Sequence, residues 1–215
     1  MDNPFKKALV YFVYYTLWTL NKFIIAVLYR PAIKGKENIP KKGPFIFACN
    51  HEDNSDILFL SYLTHRRLYF LAHSGLFRKP VRFRFFMRLF DQIQIVKGQS
   101  TMVVNKSVDF LRCGRIVAIF PEGTIDGGRE IIKGHTGVAR IAILSGFKVI
   151  PVAVNNSYGV WPRGRRIPIR IAKVRVNIGK PMTFHEFKEN HENRKITKKV
   201  TNKIMGEIKR LYKEA

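Results

Sequence analysis

Between Asn50 and Asp56 the chain reads Asn-His-Glu-Asp-Asn-Ser-Asp, which puts one imidazole and three carboxylates within seven residues. An imidazole titrates near neutrality, so His51 can take a proton from an alcohol if a second group orients it. Asp56 is the candidate. On a continuous helix, positions five apart sit about 140° from each other and do not meet. If the chain turns at Glu52 to Ser55, with Asn54 or Ser55 as N-cap, Asp56 falls in the first helical turn and reaches back to the imidazole. There the helix N-terminus would keep Asp56 ionised, and the carboxylate would fix the tautomer of His51 and stabilise its charged form. A loop histidine beside an unrelated helix-start acid would leave the same pattern, so the pair alone does not decide. No Gly-x-Ser-x-Gly elbow is present, and Ser55 reads as a cap in preference to a nucleophile. Cys49, one residue before Asn50, is a weaker nucleophile candidate than a group activated by His51.

The elements around this stretch would position it. Pro44 to Cys49 is an apolar run of strand length, and Asp56 to Leu63 is apolar with a polar start, which predicts a buried strand, a polar turn and a helix. Polar groups at the exit of a buried strand are where α/β proteins keep chemistry. A second cluster, Phe120-Pro121-Glu122-Gly123-Thr124, follows the apolar run Arg115 to Phe120 in the same way. In a parallel sheet both clusters emerge at the C-terminal edge as neighbours. Taken alone, the second cluster is also compatible with a structural corner in which Glu122 bonds backbone amides.

In chain order, strands are expected at Ala32 to Lys34, Leu68 to Ala72, Ile93 to Val96 and Val149 to Val154. Helices are expected from Ser100, as cap, to Cys113 before Gly114, from Thr136 to Ser145 before Gly146, and from Ile196 to Tyr212. Ile167 to Ile178 alternates apolar and basic residues, with a phase change at Ala172-Lys173 that predicts a bulge or turn. The rhythm gives an α/β fold with a mostly parallel sheet covered by helices on both faces. No repeat, low-complexity tract or linker divides residues 31–215, which form one domain behind an N-terminal segment, 1–30.

That segment is the membrane candidate. Lys6 and Lys7 precede Ala8 to Tyr29, which is apolar apart from Thr16, Thr19, Asn21 and Lys22 and rich in Tyr and Trp. The length just suffices to span a bilayer, but Asn21 and Lys22 interrupt it, and a helix or helical pair lying in one leaflet fits better. No small-residue cleavage site follows, as a signal peptide would require. With 39 Lys and Arg against 15 acids the formal charge is +24, which predicts an anionic partner, either a phospholipid surface or nucleic acid. Arg82, Arg84 and Arg88 interleave with Phe83, Phe85 and Phe86 over Val81 to Phe90. Such a stretch can stack bases, but without an RNA-binding or helix-turn-helix pattern an amphipathic helix on a lipid or packing face is the better reading. The two cysteines, Cys49 and Cys113, have no disulfide or metal spacing and read as core residues of a reduced, cytosol-facing protein. Asp53, Ser55 and Asp56 lack the Gly and distal Glu of a calcium loop, so no metal is expected.

Taken together, these stretches resemble the phospholipid/glycerol acyltransferase family, in particular its 1-acylglycerol-3-phosphate acyltransferase branch. Asn50, His51 and Asp56 match its Asn-His-x4-Asp block, and Phe120 to Thr124 matches Phe-Pro-Glu-Gly-Thr-Arg except that Ile125 stands where Arg is usual. Asp91 to Lys97 resembles Gly-Gln-Ile-Pro-Val-Asp-Arg with Lys97 in the place of Arg, Lys133 to Arg140 resembles Arg-Gly-Lys-Thr-Gly-Val-Ala-Arg, and Val149 to Val152 is similar to the fourth block. The resemblance implies transfer of an acyl group from acyl-CoA or acyl-carrier protein to a lysophospholipid hydroxyl, with His51 and Asp56 catalytic and no cofactor. It further implies acceptor binding by Asn50, Lys97, Glu122, Gly123, Thr124, Arg129 and Lys133, with Arg129 or Lys133 replacing the missing Arg. The rivals are another acceptor, such as glycerol 3-phosphate, a different lysophospholipid or a glycolipid, and, outside the enzymes, a membrane-tethered nucleic-acid-binding protein.

Overall fold

Apolar runs of strand length separated by amphipathic stretches build alternating layers. The computed structural model describes residues 4–78, 81–125, 127–128, 130–162, 165, 167–168 and 170–215. Its elements are α1 (Pro4–Ile24, continued by a π-helical turn, Ile25–Tyr29), β1 (Ala32–Lys34), β2 (Ile46–Cys49), α2 (Asp56–Tyr62), β3 (Leu68–His73), α3 (Val81–Leu89) and β4 (Ile93–Ile95). There follow α4 (Ser100–Arg112), β5 (Ile116–Ile119), α5 (Gly137–Ser145), β6 (Val149–Asn155), β7 (Arg175–Ile178) and α6 (Arg194–Lys213).

The seven strands form one sheet in the order β1-β7-β6-β2-β5-β3-β4. From β6 to β4 all neighbours are parallel, while β7 runs antiparallel to β6 and carries β1 parallel to itself on the outer edge. Because side chains alternate along a strand, β2 serves two cores. Ile46 and Ala48 join Val104, Val108 and Leu111 of α4, Val138 and Ile141 of α5, and Val200, Ile204 and Ile208 of α6. Phe47 and Cys49 face the other way, onto Phe59 and Leu60 of α2 and onto Ile25 and Tyr29 at the end of α1. Both faces are covered, as the apolar runs require.

Three details differ from expectation. Only Arg175–Ile178 of the alternating stretch is strand. The chain bends where the phase changes, with Val174 N–H bonded to the Ala172 carbonyl at 3.0 Å, and upstream Ile167 and Ile171 lie exposed, so the alternation has no buried face to drive pairing. Ser100 is the first residue of α4 and not its cap; its hydroxyl accepts from Arg140 Nη1 at 3.4 Å. Cys113 is exposed, not core; two residues past the buried Leu111 it points about 200° away from that stripe. Of the two arrangements expected for the N-terminal segment, the single helix is found, ended by a π-helical turn.

α1 is fastened to the domain along one side. Trp18 Nε1 donates to the carbonyls of Ser61 (3.0 Å) and Thr64 (2.9 Å), and Asn21 Nδ2 to that of Leu58 (3.1 Å). The indole N–H of Trp18, and Asn21 among the polar interruptions of the apolar run, therefore bond carbonyls of α2 and of the residue pair that follows it. The guanidinium of Arg67 lies against the rings of Tyr14, Tyr69 and Phe90, and Tyr14 meets Phe90 edge to face, so a cation–π cluster holds the middle of α1. The opposite side is open, with Phe12 70% and Phe23 66% exposed. By length and composition Ala8–Tyr29 suffices to cross a membrane. Replacing Trp18 by Phe keeps the ring and removes the N–H, and is expected to lower stability by about 1 kcal/mol and to speed amide exchange at the end of α2. Unchanged exchange there would show that Trp18 does not hold α1 to α2.

Candidate active site

β2 lies between β6 and β5, all parallel, so the residues leaving these three strands meet at one edge. Asn50 is the first. Its side-chain amide donates to the Val154 carbonyl and accepts from the Val154 N–H, both at 2.8 Å, so that it prolongs the β2–β6 ladder by one rung. Asn50 is fully buried. Expected among the binding residues, it is spent on the frame instead.

His51 follows. Its backbone N–H donates to Glu122 Oε1 at 3.0 Å, and Ile132 N–H donates to the other oxygen of Glu122 at 2.9 Å. Glu122 is buried, so it shapes the site from beneath and ties the turn after β5 to the chain leaving β2. The imidazole stacks on Phe120, with ring centres 3.9 Å apart. Its Nδ1 lies 2.9 Å from Asp56 Oδ2. A carboxylate can only accept, so Nδ1 carries the proton and Nε2 presents a lone pair. Asp56 is fully buried at the start of α2 while His51 keeps 15% exposure, which is the disposition of a base held from behind and reachable from in front. Asp53 N–H and Ser157 Oγ also donate to Asp56, at 2.9 and 2.6 Å.

The tight turn that brings His51 and Asp56 together is built by Asp53. Its carboxylate accepts from Ser55 N (3.0 Å), Trp161 N (2.8 Å) and Gly159 N (3.0 Å), fixing both this turn and the loop after β6. The expected side-chain cap does not form: Ser55 occupies the N-cap position without bonding, and Asn54 donates to the Trp161 carbonyl. Glu52 is buried as well. Burial raises its carboxyl above the ordinary value, against the lowering effect of hydrogen bonds from Tyr212 and Ser157.

The Pro121–Gly123 turn is covered by the chain that follows it. His135 N–H donates to the Pro121 carbonyl at 2.8 Å, and a Cβ on Gly123, whose φ is 68°, would stand 2.9 Å from the His135 ring. Only glycine allows both that backbone and that contact. Thr124 and Lys133 are exposed beside this turn. Lys97 is exposed too, but it leaves β4, three strands from β2 and so about 14 Å away across the sheet. The structure does not bring it beside His51. Arg129 lies outside the described residues. The Cys49 thiol, one residue before Asn50, is wholly buried, and burial first, then the charges of Asp56, Glu122 and Glu52, push its pKa well up; such a thiol is not a nucleophile. Among the described residues no group of three or more His, Cys, Asp or Glu side chains is disposed to hold a metal ion.

A histidine held in this way at the edge of a parallel sheet is compatible with several reactions. Residues 30–155 match the model of the family described as Acyltransferase. The chain belongs to the acyltransferase family. It is 24% identical to the chloroplastic 1-acyl-sn-glycerol-3-phosphate acyltransferase LPAT1 of Arabidopsis thaliana over 84% of this chain and 50% of the plant protein. It is 30% identical to the 1-acyl-sn-glycerol-3-phosphate acyltransferase of Borreliella burgdorferi over 58% of this chain and 51% of that protein. The crystal structure of the 1-acyl-sn-glycerophosphate acyltransferase PlsC from Thermotoga maritima shares the fold, with a TM-score of 0.74 at 22% identity over 100% of this chain and 83% of that one. The chain spans about half the length of the plant and spirochaete relatives it matches.

In this member of the family, then, His51, Asp56, Glu122 and Gly123 come together, whereas Asn50 is structural and Lys97 stands apart. Glu52, Asp53, Ser157 and Tyr212 escaped the motif reading. Glu52 and Asp53 lie inside the motif at variable positions, and Ser157 and Tyr212 are distant in sequence; only the sheet order brings them in. Two outcomes are expected. Asn50→Ala leaves both polar groups of Val154 buried without partners and should cost about 2–5 kcal/mol in denaturant unfolding; a loss under about 1 kcal/mol would show that the ladder does not need it. Glu52→Gln tests the raised carboxyl. The folded protein holds that proton to higher pH than the unfolded chain, so its contribution is full below the ordinary value and is lost as pH rises through the folded one. The melting temperature of Glu52→Gln relative to the parent should therefore climb as pH rises above the ordinary carboxylate range; a constant difference would show that Glu52 ionises normally.

Proposed function

We propose that the chain transfers a fatty acyl group from an acyl thioester to the sn-2 hydroxyl of 1-acylglycerol 3-phosphate, giving phosphatidic acid. The observation that carries this reading is the 2.9 Å contact between His51 Nδ1 and the buried Asp56, with Nε2 left as the basic nitrogen of a partly open imidazole. The names of the relatives supply the substrate class.

In this mechanism Nε2 takes the proton of the acceptor hydroxyl as its oxygen attacks the thioester carbonyl. The tetrahedral intermediate collapses with cleavage of the carbon–sulfur bond, and the imidazolium, stabilised by Asp56, returns the proton to the leaving sulfur. The products are the ester and the free thiol of CoA or of acyl-carrier protein, and neither cofactor nor metal enters. Lys133, and Arg129 in the unoccupied role of the family's Arg at Ile125, attract the acceptor phosphate, while Gly123 and Thr124 line its approach. The open face of α1, with Phe12, Phe23 and their neighbours, lies in the cytoplasmic leaflet and the +24 chain is drawn to anionic headgroups, so the acceptor reaches His51 without leaving the membrane.

The test is transfer of labelled palmitate from CoA, and in parallel from acyl-carrier protein, to a panel containing 1-acylglycerol 3-phosphate, glycerol 3-phosphate, another lysophospholipid and a glycolipid. Product on 1-acylglycerol 3-phosphate is expected, with kcat reduced about 10²–10⁴-fold in His51→Ala and vesicle binding retained. Full turnover in that variant would remove His51 as the base, and preference for another acceptor would reassign the substrate. Salt-sensitive binding of nucleic acid with no transfer to any acceptor would replace the enzyme reading altogether.

A further inference from the structure

Asp56 receives its third hydrogen bond from outside the motif, and the donor is oddly placed. Ser157 Oγ lies 2.6 Å from Asp56 Oδ1 and 3.0 Å from Glu52 Oε2. A hydroxyl has one proton, so it serves one of two carboxylates. The shorter contact goes to Asp56. Glu52 is then not competing for that proton but fixing its carrier: its Oε2 accepts the backbone N–H groups of Ser157 at 2.8 Å and Tyr158 at 3.1 Å, while its Oε1 accepts the Tyr212 hydroxyl of α6 at 2.5 Å. Ser157 and Glu52, like Asp56, are buried, so water does not compete for these bonds.

We propose that Ser157, clamped by Glu52 and Tyr212, is the positioning residue that sets the plane of the Asp56 carboxylate, and through it the orientation of His51. The inference rests on the reading of His51 as the base, and deepens it by making the loop after β6 and the C-terminal helix part of the active centre. The geometry gives the reason. Oδ2 of Asp56 serves His51 and Asp53, whereas Oδ1 has Ser157. Without a partner on Oδ1 the carboxylate turns about its Cβ–Cγ bond to find one, and Oδ2 leaves the imidazole. A base displaced by a fraction of an ångström loses alignment with the attacking hydroxyl while the rest of the substrate still binds, so the loss falls on kcat.

The variants are Ser157→Ala, Glu52→Ala, Glu52→Gln and Tyr212→Phe in the full chain, each read in two ways. One is kcat and KM in the transfer assay. The other, independent of turnover, is the downfield proton resonance of His51 Nδ1–H, assigned by its disappearance in His51→Ala. Ser157→Ala and Glu52→Ala are expected to lower kcat about 10–100-fold with KM within about two-fold, and to broaden or shift the resonance upfield. Gln at position 52 keeps an acceptor for the two backbone N–H groups and an amide for Tyr212, and should return most of that loss; Tyr212→Phe, the mildest change, should show the same signature in smaller degree. Folded Ser157→Ala or Tyr212→Phe protein with the parent's kcat and resonance would overturn the proposal. If the parent transfers nothing to any acceptor, the functional reading fails, and the resonance of the parent against Ser157→Ala still decides whether Ser157 positions the pair.

Discussion

A strand paired on both edges and buried on both faces cannot slip, because a shift of one residue would turn every apolar side chain toward the wrong layer. β2 is in that position between β5 and β6, with Phe47 committed to one core and Ile46 and Ala48 to the other. Its last rungs therefore fix where the chain must leave the sheet. Asn50 carries the constraint one residue further by pairing with Val154 through its side chain, and His51 inherits it through its backbone bond to Glu122. The imidazole is placed by the sheet before any contact with Asp56 is made. Asp56 has only to hold the ring's orientation and tautomer.

The same edge collects Glu52, Asp53, Asp56 and Glu122, four buried acids in a chain with 39 basic residues. Each burial is costly unless hydrogen bonds replace water. For Asp53 and Glu122 the replacements are backbone N–H groups from loops that converge at this edge. Those two carboxylates act as knots between the turn after β2 and the loops after β5 and β6. The basic surface and the acidic floor are thus separate: the first sets a positive field around the chain, and the second builds a turn in which a histidine and an aspartate five residues apart can meet.

The parallel core was legible because its strands are short apolar runs and its helices carry stop signals that the backbone obeys, as at Gly114 and Gly146, where φ is 76° and 71°. The meeting of the two polar clusters was legible for the same reason, since consecutive parallel strands send their exits to one edge. Local capping was not. Ser55 and Ser100 have the residue type of caps, yet at the first site the Leu58 N–H that a Ser55 hydroxyl would cap bonds the Ser55 carbonyl instead, and at the second the helix begins on the serine itself. The antiparallel β7 was read too long because alternation describes a half-buried surface, and Ile167 and Ile171 have no sheet beneath them. The links through Ser157 and Tyr212 could not be read at all, because they depend on which strand stands beside β2 and on where α6 crosses the sheet.

α1 shows how an apolar helix can be both bound and open. Trp18 and Asn21 use their N–H groups on the carbonyls at the far end of α2, the helix whose first residue is Asp56. α2 is thus held at both ends, by α1 at its C-terminus and by the hydrogen bonds of Asp53 and Asp56 at its N-terminus. A helix of seven residues is too short to be stable by its own propensity, so these two attachments, with Phe59 and Leu60 in the core, are what keep it formed. The outward face of α1 takes no part in this and exposes Phe12, Leu20 and Phe23. Burying that face in lipid would leave the attachment to α2 untouched, so a membrane contact on α1 and the geometry of the His51–Asp56 pair impose no conflicting demands on the same helix.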